Sequence, residues 1–180
     1  MISKNAYHLF AQILEYPKPG LSERIKECLS LLTSPNNEAK ILLTKFQNFV
    51  DRTPLGCLEE IYTFTFDLQP VCCLYVGYHL FGEDQRRAIL MARLKEHYSV
   101  HGFSLFNELP DHVGVILRFL AIENDEEREE LIALCIIPAL KKMVKRFEGT
   151  TNPYGELLHA LFLVLHEEAQ QMMNPFTPNV

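Results

Sequence analysis

Apolar residues recur along the chain with the spacing of α-helices. Near the start, Ala6, Leu9, Phe10, Ile13 and Leu14 are separated by three or four positions, so they would share one face of a helix. The same spacing returns in most later segments. No Asn-Gly or Asp-Gly hairpin turn occurs, and no strand signal competes with the helical pattern. The pattern predicts an all-α protein.

Short segments rich in Pro, Gly, Ser and Asn separate the apolar stripes, near residues 17–20, 34–37, 53–54, 69–70, 82–84, 101–102 and 149–155. These breaks predict one globular helical domain of about eight to ten helices over residues 1–173. The same pattern also allows a domain made of two helical halves that are joined near residues 100–110. Residues 174–180 contain two prolines and are predicted to form a flexible C-terminal tail.

Three helices carry more detailed expectations. The helix with Val113, Ile116 and Leu120 should be central because it is apolar nearly all round, and Pro110 suits its first turn. A preceding helix should point Arg87 and its other charged residues outward. Farther on, Asn124-x-x-Glu127 resembles a capping box that opens a solvated acidic helix start, and Pro138 marks a kink or a new start.

Composition narrows the classes of function. The chain has 180 residues and a formal net charge of −6, which disfavours nucleic acid and would suit a basic peptide. Five cysteines form no CxxC pair, which excludes a zinc knuckle or thioredoxin motif and favours reduced thiols. No signal peptide or membrane-spanning run is recognised, so a cytoplasmic location is expected.

Aromatic side chains crowd the stretch from residue 58 to residue 84. Tyr75, Tyr78, His79 and Phe81 fall within two helical turns. Buried phenol and imidazole groups need hydrogen-bond partners, so we expect polar groups from another part of the protein, or from a ligand, to contact this segment. Any single one of these rings could equally be core, and His79 on an apolar face is more often a core histidine than a ligand.

Three motifs together resemble a known family. They are Glu60-x-Tyr62-x-x-Thr65-Phe66-Asp67, Leu74-Tyr75-x-Gly77-Tyr78-His79-Leu80-Phe81-Gly82-Glu83-Asp84 and Glu108-Leu109-Pro110-Asp111-His112. In this order they resemble the redox-enzyme maturation chaperones, in particular the nitrate reductase molybdenum-cofactor assembly branch, which is similar to the Tat-proofreading chaperones of DMSO and TMAO reductases. The resemblance is densest from Leu58 to Leu120 and returns at Asn152-Pro153-Tyr154.

The resemblance implies a cytoplasmic, system-specific chaperone that is not an enzyme. It would bind the N-terminal leader segment of a molybdoenzyme catalytic subunit and assist folding and molybdenum-cofactor insertion before assembly or export. It would hold no cofactor of its own, although it could meet the molybdenum-cofactor machinery. Nucleic acid and direct membrane insertion are not expected. The identity of the client reductase, direct contact with molybdopterin or a nucleotide, and the oligomeric state stay open.

The resemblance also implies a peptide-binding site. Its residues would be Tyr62, Phe66, Asp67, Tyr75, Tyr78, His79, Glu108, Asp111 and His112. The aromatic rings would form an apolar floor, whereas Asp67, Asp111 and His112 would meet the cationic end of the peptide. The residues alone allow a plainer alternative, in which Asp111 lies in a first helical turn and His112 caps that helix. Sister branches have an aromatic residue where Glu108 stands here.

An enzyme is the alternative from a different class. A metal-dependent helical hydrolase would use Asp111, His112 and further histidines. However, His97 and His101 are four residues apart in the stretch His-Tyr-Ser-Val-His at a helix end, and that stretch contains no carboxylate companion. No HExxH, GxSxG or phosphate-binding glycine loop is present. We therefore predict neither hydrolase activity nor a bound metal.

Overall fold

The structure, a computed structural model, describes residues 4–32, 37–68, 71–105, 107–122 and 126–173. The predicted tail at residues 174–180, the capping residue Asn124 and the break at Pro70 lie outside these ranges. Within them the chain forms helices, and its one β-type pairing is an isolated bridge between Tyr75 and His112. The predicted all-α class is confirmed.

The helices follow one another with short connections. Their bounds are α1 Lys4–Ile13, α2 Leu21–Leu31, α3 Asn37–Arg52, α4 Leu55–Phe66, α5 Val76–Phe81, α6 Gln85–Val100, α7 Val113–Leu120, α8 Glu126–Glu130, a π-helical segment Leu131–Ile136, α9 Ile137–Lys145 and α10 Tyr154–Met173. No helix of the described residues is long and apolar enough to cross a membrane.

The predicted central helix is α7. All its residues except Arg118 are buried, because apolar residues occupy almost its whole circumference. It packs against α1, which also contacts α2, while α10 lies along α3 and α9. The buried residues of these helices form one contiguous core, which holds the short α5 and the loop before α7 in place.

Helix α7 begins three residues later than Pro110 suggested. The backbone N–H of Val76 donates to the Asp111 carbonyl and that of Val113 donates to the Leu74 carbonyl, each at 2.8 Å. These bonds hold His112 in an extended conformation beside the start of α5, directly after the turn that contains Asp111. The helix therefore starts at Val113, and the His112 side chain accepts the Gly114 N–H.

Pro138 does not end its helix but stands in the first turn of α9, directly after the π-helical segment. Residues 126–145 are thus helical without a break. Proline has no N–H to donate to the preceding turn. The predicted irregularity at Pro138 is therefore present as a local change of helix type just before it.

A buried polar cluster joins α1, α8 and α10. Arg128 Nη2 lies 2.7 Å from Glu168 Oε1 and 2.7 Å from the Tyr7 hydroxyl oxygen. The Tyr7 hydroxyl in turn donates to the other carboxylate oxygen of Glu168. The acidic segment that contains Arg128 was expected to be a solvated helix start, but this arginine is buried because it pairs with Glu168 in the core.

Candidate peptide-binding site

The isolated β-bridge brings together two of the three family motifs. It pairs Tyr75, just before α5, with His112, just before α7. Their rings also meet edge to face, with centroids 5.5 Å apart. Residues 37 positions apart in the sequence are therefore neighbours, and the Glu108–His112 loop lies against the Tyr75 segment.

Tyr75 and Glu108 form the polar link across this junction. The Tyr75 hydroxyl donates to Glu108 Oε1 at 3.2 Å, and the same oxygen accepts the Leu109 N–H at 3.0 Å. Burial, and then the negative charge of Glu108, raise the pKa of Tyr75 to about 12. Glu108 thus provides an exposed carboxylate that accepts a hydrogen bond from Tyr75 and positions its ring.

Asp111 forms a buried ion pair with Arg87 rather than facing a ligand. Its carboxylate oxygens lie 2.9 Å from Arg87 Nε and 3.4 Å from Nη2, and its side chain is 0% exposed. Both carboxylate oxygens of Asp111 face the guanidinium in this structure, and the contact of Asp111 with a peptide stays a prediction. Arg87 was expected to point outward, yet its side chain is 19% exposed.

Arg87 also connects two aromatic rings. Its guanidinium carbon lies 5.4 Å from the Tyr75 ring centroid and 5.9 Å from that of Tyr78, within the range of a cation–π contact. Gly77, between these tyrosines, leaves the space for the ion pair, since a Cβ there would stand 2.8 Å from Asp111 Oδ2. A glycine between two tyrosines of the family motif is the sequence signal that could have indicated that another segment approaches the backbone of α5 closely at Gly77.

His112 is the N-cap of α7. Its Nδ1 accepts the Gly114 N–H at 3.1 Å, so this nitrogen carries no proton and the neutral ring has its hydrogen on Nε2. Burial lowers the pKa of His112, although Glu108 opposes the shift. The capping role allowed by the sequence is therefore observed.

Tyr62 and Phe66 belong to the core beneath the junction. Both are buried, with ring centroids 4.9 Å apart, and each contacts Tyr154. The Tyr62 hydroxyl donates to the Leu14 carbonyl at 3.1 Å. Neither ring presents a broad exposed surface. Tyr16, which the sequence analysis did not single out, packs on Tyr62 at 5.5 Å and is exposed.

Three carboxylates surround this aromatic group. Burial, and then the negative charges of Asp67, Glu108 and Glu15, raise the pKa of Tyr62. Burial lowers the pKa of His112, and Glu108 and Asp67 oppose that shift. Glu15 is partly neutralised because it pairs with Arg118 and Lys18. Asp67 and Glu108 are exposed. We call Glu15, Asp67 and Glu108 the acidic mouth.

Tyr78 and His79 face a different feature. They line a cavity of about 410 Å³ together with Lys142, Lys145 and Arg146, which we call the basic cavity. His79 Nε2 lies 2.8 Å from the Cys73 carbonyl oxygen. Burial, and then the nearby cations, lower the pKa of His79. Of the nine predicted residues, Asp67 and Glu108 belong to the acidic mouth, and Tyr78 and His79 line the basic cavity. Half-buried Tyr75 and His112 lie beside the mouth, and buried Tyr62, Phe66 and Asp111 lie beneath it.

Comparisons with known proteins agree on one family. Residues 33–177 match the family described as the nitrate reductase delta subunit. The chain is 28% identical over 156 residues to the probable nitrate reductase molybdenum cofactor assembly chaperone NarJ of Bacillus subtilis strain 168, covering 85% of this chain and 84% of that protein. It is 27% identical over 150 residues to the probable chaperone of the same kind, NarW, of Escherichia coli K12, covering 83% and 63%.

A solved structure shares the fold. It is a protein from Archaeoglobus fulgidus described as a redox enzyme maturation protein, with a TM-score of 0.63 and 23% sequence identity. The match covers 91% of this chain and 93% of that chain. Since the identity is low, this likeness concerns the arrangement of helices.

Proposed function

The chain belongs to the nitrate reductase delta subunit family, and from this premise we propose that it is an assembly chaperone for a molybdoenzyme of the nitrate reductase type. It binds the N-terminal segment of the catalytic subunit and assists molybdenum-cofactor insertion before assembly or export. The observation that carries the proposal is the family match, which spans all three motifs of the candidate site.

The acidic mouth suits the basic end of such a segment. Asp67 and Glu108 are exposed beside half-buried Tyr75 and His112, so a peptide could set an apolar side chain against these rings and a cation against the carboxylates. Exposed Tyr16 extends the aromatic surface. Asp111, Tyr62 and Phe66 are buried and act as positioning residues for this surface.

The cytoplasm is the proposed location, since all five cysteines are free and free thiols persist where glutathione keeps them reduced. The N-terminal segment of the client would be met there as it is synthesised. Contact with the molybdenum-cofactor machinery belongs to the same proposal. Binding, rather than catalysis, is the activity to be tested.

The experiment is a calorimetric titration with a synthetic peptide that carries the N-terminal segment of the reductase catalytic subunit. The variants are Glu108→Gln and Asp67→Asn, which remove charge and keep side-chain volume. Exposed ion pairs contribute about 0.2–1 kcal/mol each, so each variant should weaken binding by a factor of roughly 1.4 to 5 at low salt. The difference should shrink as salt rises. The control Glu38→Gln removes an exposed carboxylate from the first turn of α3.

Two outcomes would contradict the proposal. One is equal binding by the wild type and by the protein that carries both Glu108→Gln and Asp67→Asn. The other is equal binding of the natural peptide and of a peptide whose basic residues are replaced by glutamate. Either result would mean that the acidic mouth does not recognise the peptide.

The hydrolase alternative has no support from the comparisons, because the relatives are described as assembly chaperones. Asp111 is also committed to Arg87, and His112 Nδ1 to the N-terminus of α7. Among the described residues, no group of three His, Cys, Asp or Glu side chains is arranged to hold a metal ion.

A further inference from the structure

The basic cavity is a concave site that the peptide proposal does not use. Lys142, Lys145 and Arg146 line it from the end of α9, and Tyr78 and His79 line it from α5. The whole chain has a formal net charge of −6, yet no carboxylate is among these lining residues. The cavity therefore concentrates positive charge in an otherwise acidic protein.

The three cations share one face because they are three and four residues apart. Basic residues at a helix C-terminus also stabilise the helix dipole, which by itself would explain their presence but not their position around a cavity. Lys142 is fixed at the wall, since its Nζ donates to the His79 carbonyl at 2.8 Å. Lys145 and Arg146 are exposed to solvent.

The positive charge also reaches His79 in the wall of the cavity and buried Cys72 near it. Lys142 and Arg146 both contribute to the lowered pKa of His79, after burial, and Arg146 opposes the raised pKa of Cys72. His79 therefore stays neutral and offers an imidazole beside the cations. An anion that entered would meet fixed positive charge without a carboxylate from the lining residues.

We propose that the basic cavity binds the phosphate or pyrophosphate group of a small molecule. Lysine and arginine supply charge-assisted hydrogen bonds, and arginine can bind two phosphate oxygens at once. The volume of about 410 Å³ lies within the range of ligand pockets and leaves room for more than one phosphate. Tyr78 is 40% exposed, and its ring offers an apolar surface to a planar group joined to the phosphates.

Calorimetric titrations of the full chain test the proposal with four probes at equal ionic strength: inorganic pyrophosphate, a nucleoside diphosphate, the matching nucleoside and sulfate. Pyrophosphate should bind more tightly than sulfate, and the nucleoside should not bind measurably. Tighter binding of the diphosphate than of pyrophosphate would identify a ring-bearing ligand, and equal binding would identify an inorganic one.

The double variant Lys145→Gln/Arg146→Gln should weaken pyrophosphate binding by at least about tenfold, the factor that corresponds to the loss of one modest ionic hydrogen bond. Both residues are exposed, so circular dichroism should show an unchanged fold. The matched control is Lys141→Gln, which removes a neighbouring exposed lysine of α9 that does not line the cavity.

Three results would overturn the proposal. They are equal affinity for pyrophosphate and sulfate, an equal loss of affinity in Lys141→Gln and the double variant, and, with a glutamate-rich peptide titrated as a fifth probe, binding of that peptide without binding of pyrophosphate. The last would indicate a docking surface for an acidic protein segment. Because none of these probes is the reductase peptide, failure here is separate from failure of the chaperone proposal.

Discussion

Replacing Gly77 with alanine tests the packing that supports the candidate site. In an ordinary helix this change stabilises the fold, because alanine has a higher helix propensity than glycine by about 1 kcal/mol. Gly77 lies in α5, where a Cβ would stand 2.8 Å from Asp111 Oδ2 and 2.9 Å from Arg87 Cγ. The sign of the effect should therefore reverse.

The magnitude depends on what can move. The Asp111 carboxylate is fully buried and held by Arg87, so it cannot turn away without weakening the ion pair. An added methyl group in a packed site costs about 1–3 kcal/mol, against a gain of about 1 kcal/mol in propensity. We therefore expect Gly77→Ala to lower the free energy of unfolding by up to about 2 kcal/mol and to lower the melting temperature by several degrees.

Urea unfolding followed by circular dichroism measures this change. The matched control is Gly56→Ala in the first turn of α4, where an added Cβ meets nothing within 4 Å. That variant should be as stable as the wild type or more stable, by up to about 1 kcal/mol. If Gly77→Ala is also neutral or stabilising, the tight approach of Gly77 to the Asp111–Arg87 pair is not a constraint on the fold.

Three further predictions concern titration, charge burial and thiol reactivity. His112→Asn keeps an N-cap acceptor and should flatten part of the pH dependence: because the folded state lowers the pKa of His112, wild-type stability is complete above about 6.5 and falls as pH drops below that value. Glu168→Gln should cost about 3–5 kcal/mol in urea unfolding, since it removes the buried carboxylate charge that pairs with Arg128. A thiol reagent at neutral pH should label exposed Cys57 first, whereas Cys72, whose pKa is raised to about 12 by burial, should react after unfolding.

Each of these has a contrary outcome. An identical loss of stability between pH 7.5 and pH 5 in the wild type and in His112→Asn would mean that His112 does not contribute to the pH dependence of stability. If Glu168→Gln is as stable as a conservative Tyr7→Phe variant, the loss of the buried charge is not the main cause of the lower free energy of unfolding. Rapid labelling of Cys72 in the native protein would contradict its burial.

The amino-acid sequence by itself determined the class of fold and the family. Helical spacing of apolar residues predicted α1 and the central α7, because a helix that buries one face or its whole circumference must place apolar side chains accordingly. The three motifs also indicated which segments would form the site. The N-cap role of His112 was one of two alternatives that the residues left open.

Only the tertiary structure decided how the site residues are used. Asp111 is separated from Arg87 by 24 residues and Tyr75 from Glu108 by 33, so local spacing could not pair them. The backbone bonds of Val76 and Val113 exist once α5 and α7 pack side by side, and they bury one predicted ligand-binding carboxylate. Periodicity shows which face of a helix is apolar. It does not show which polar side chains pair with each other, because that depends on packing between segments that are distant in the chain.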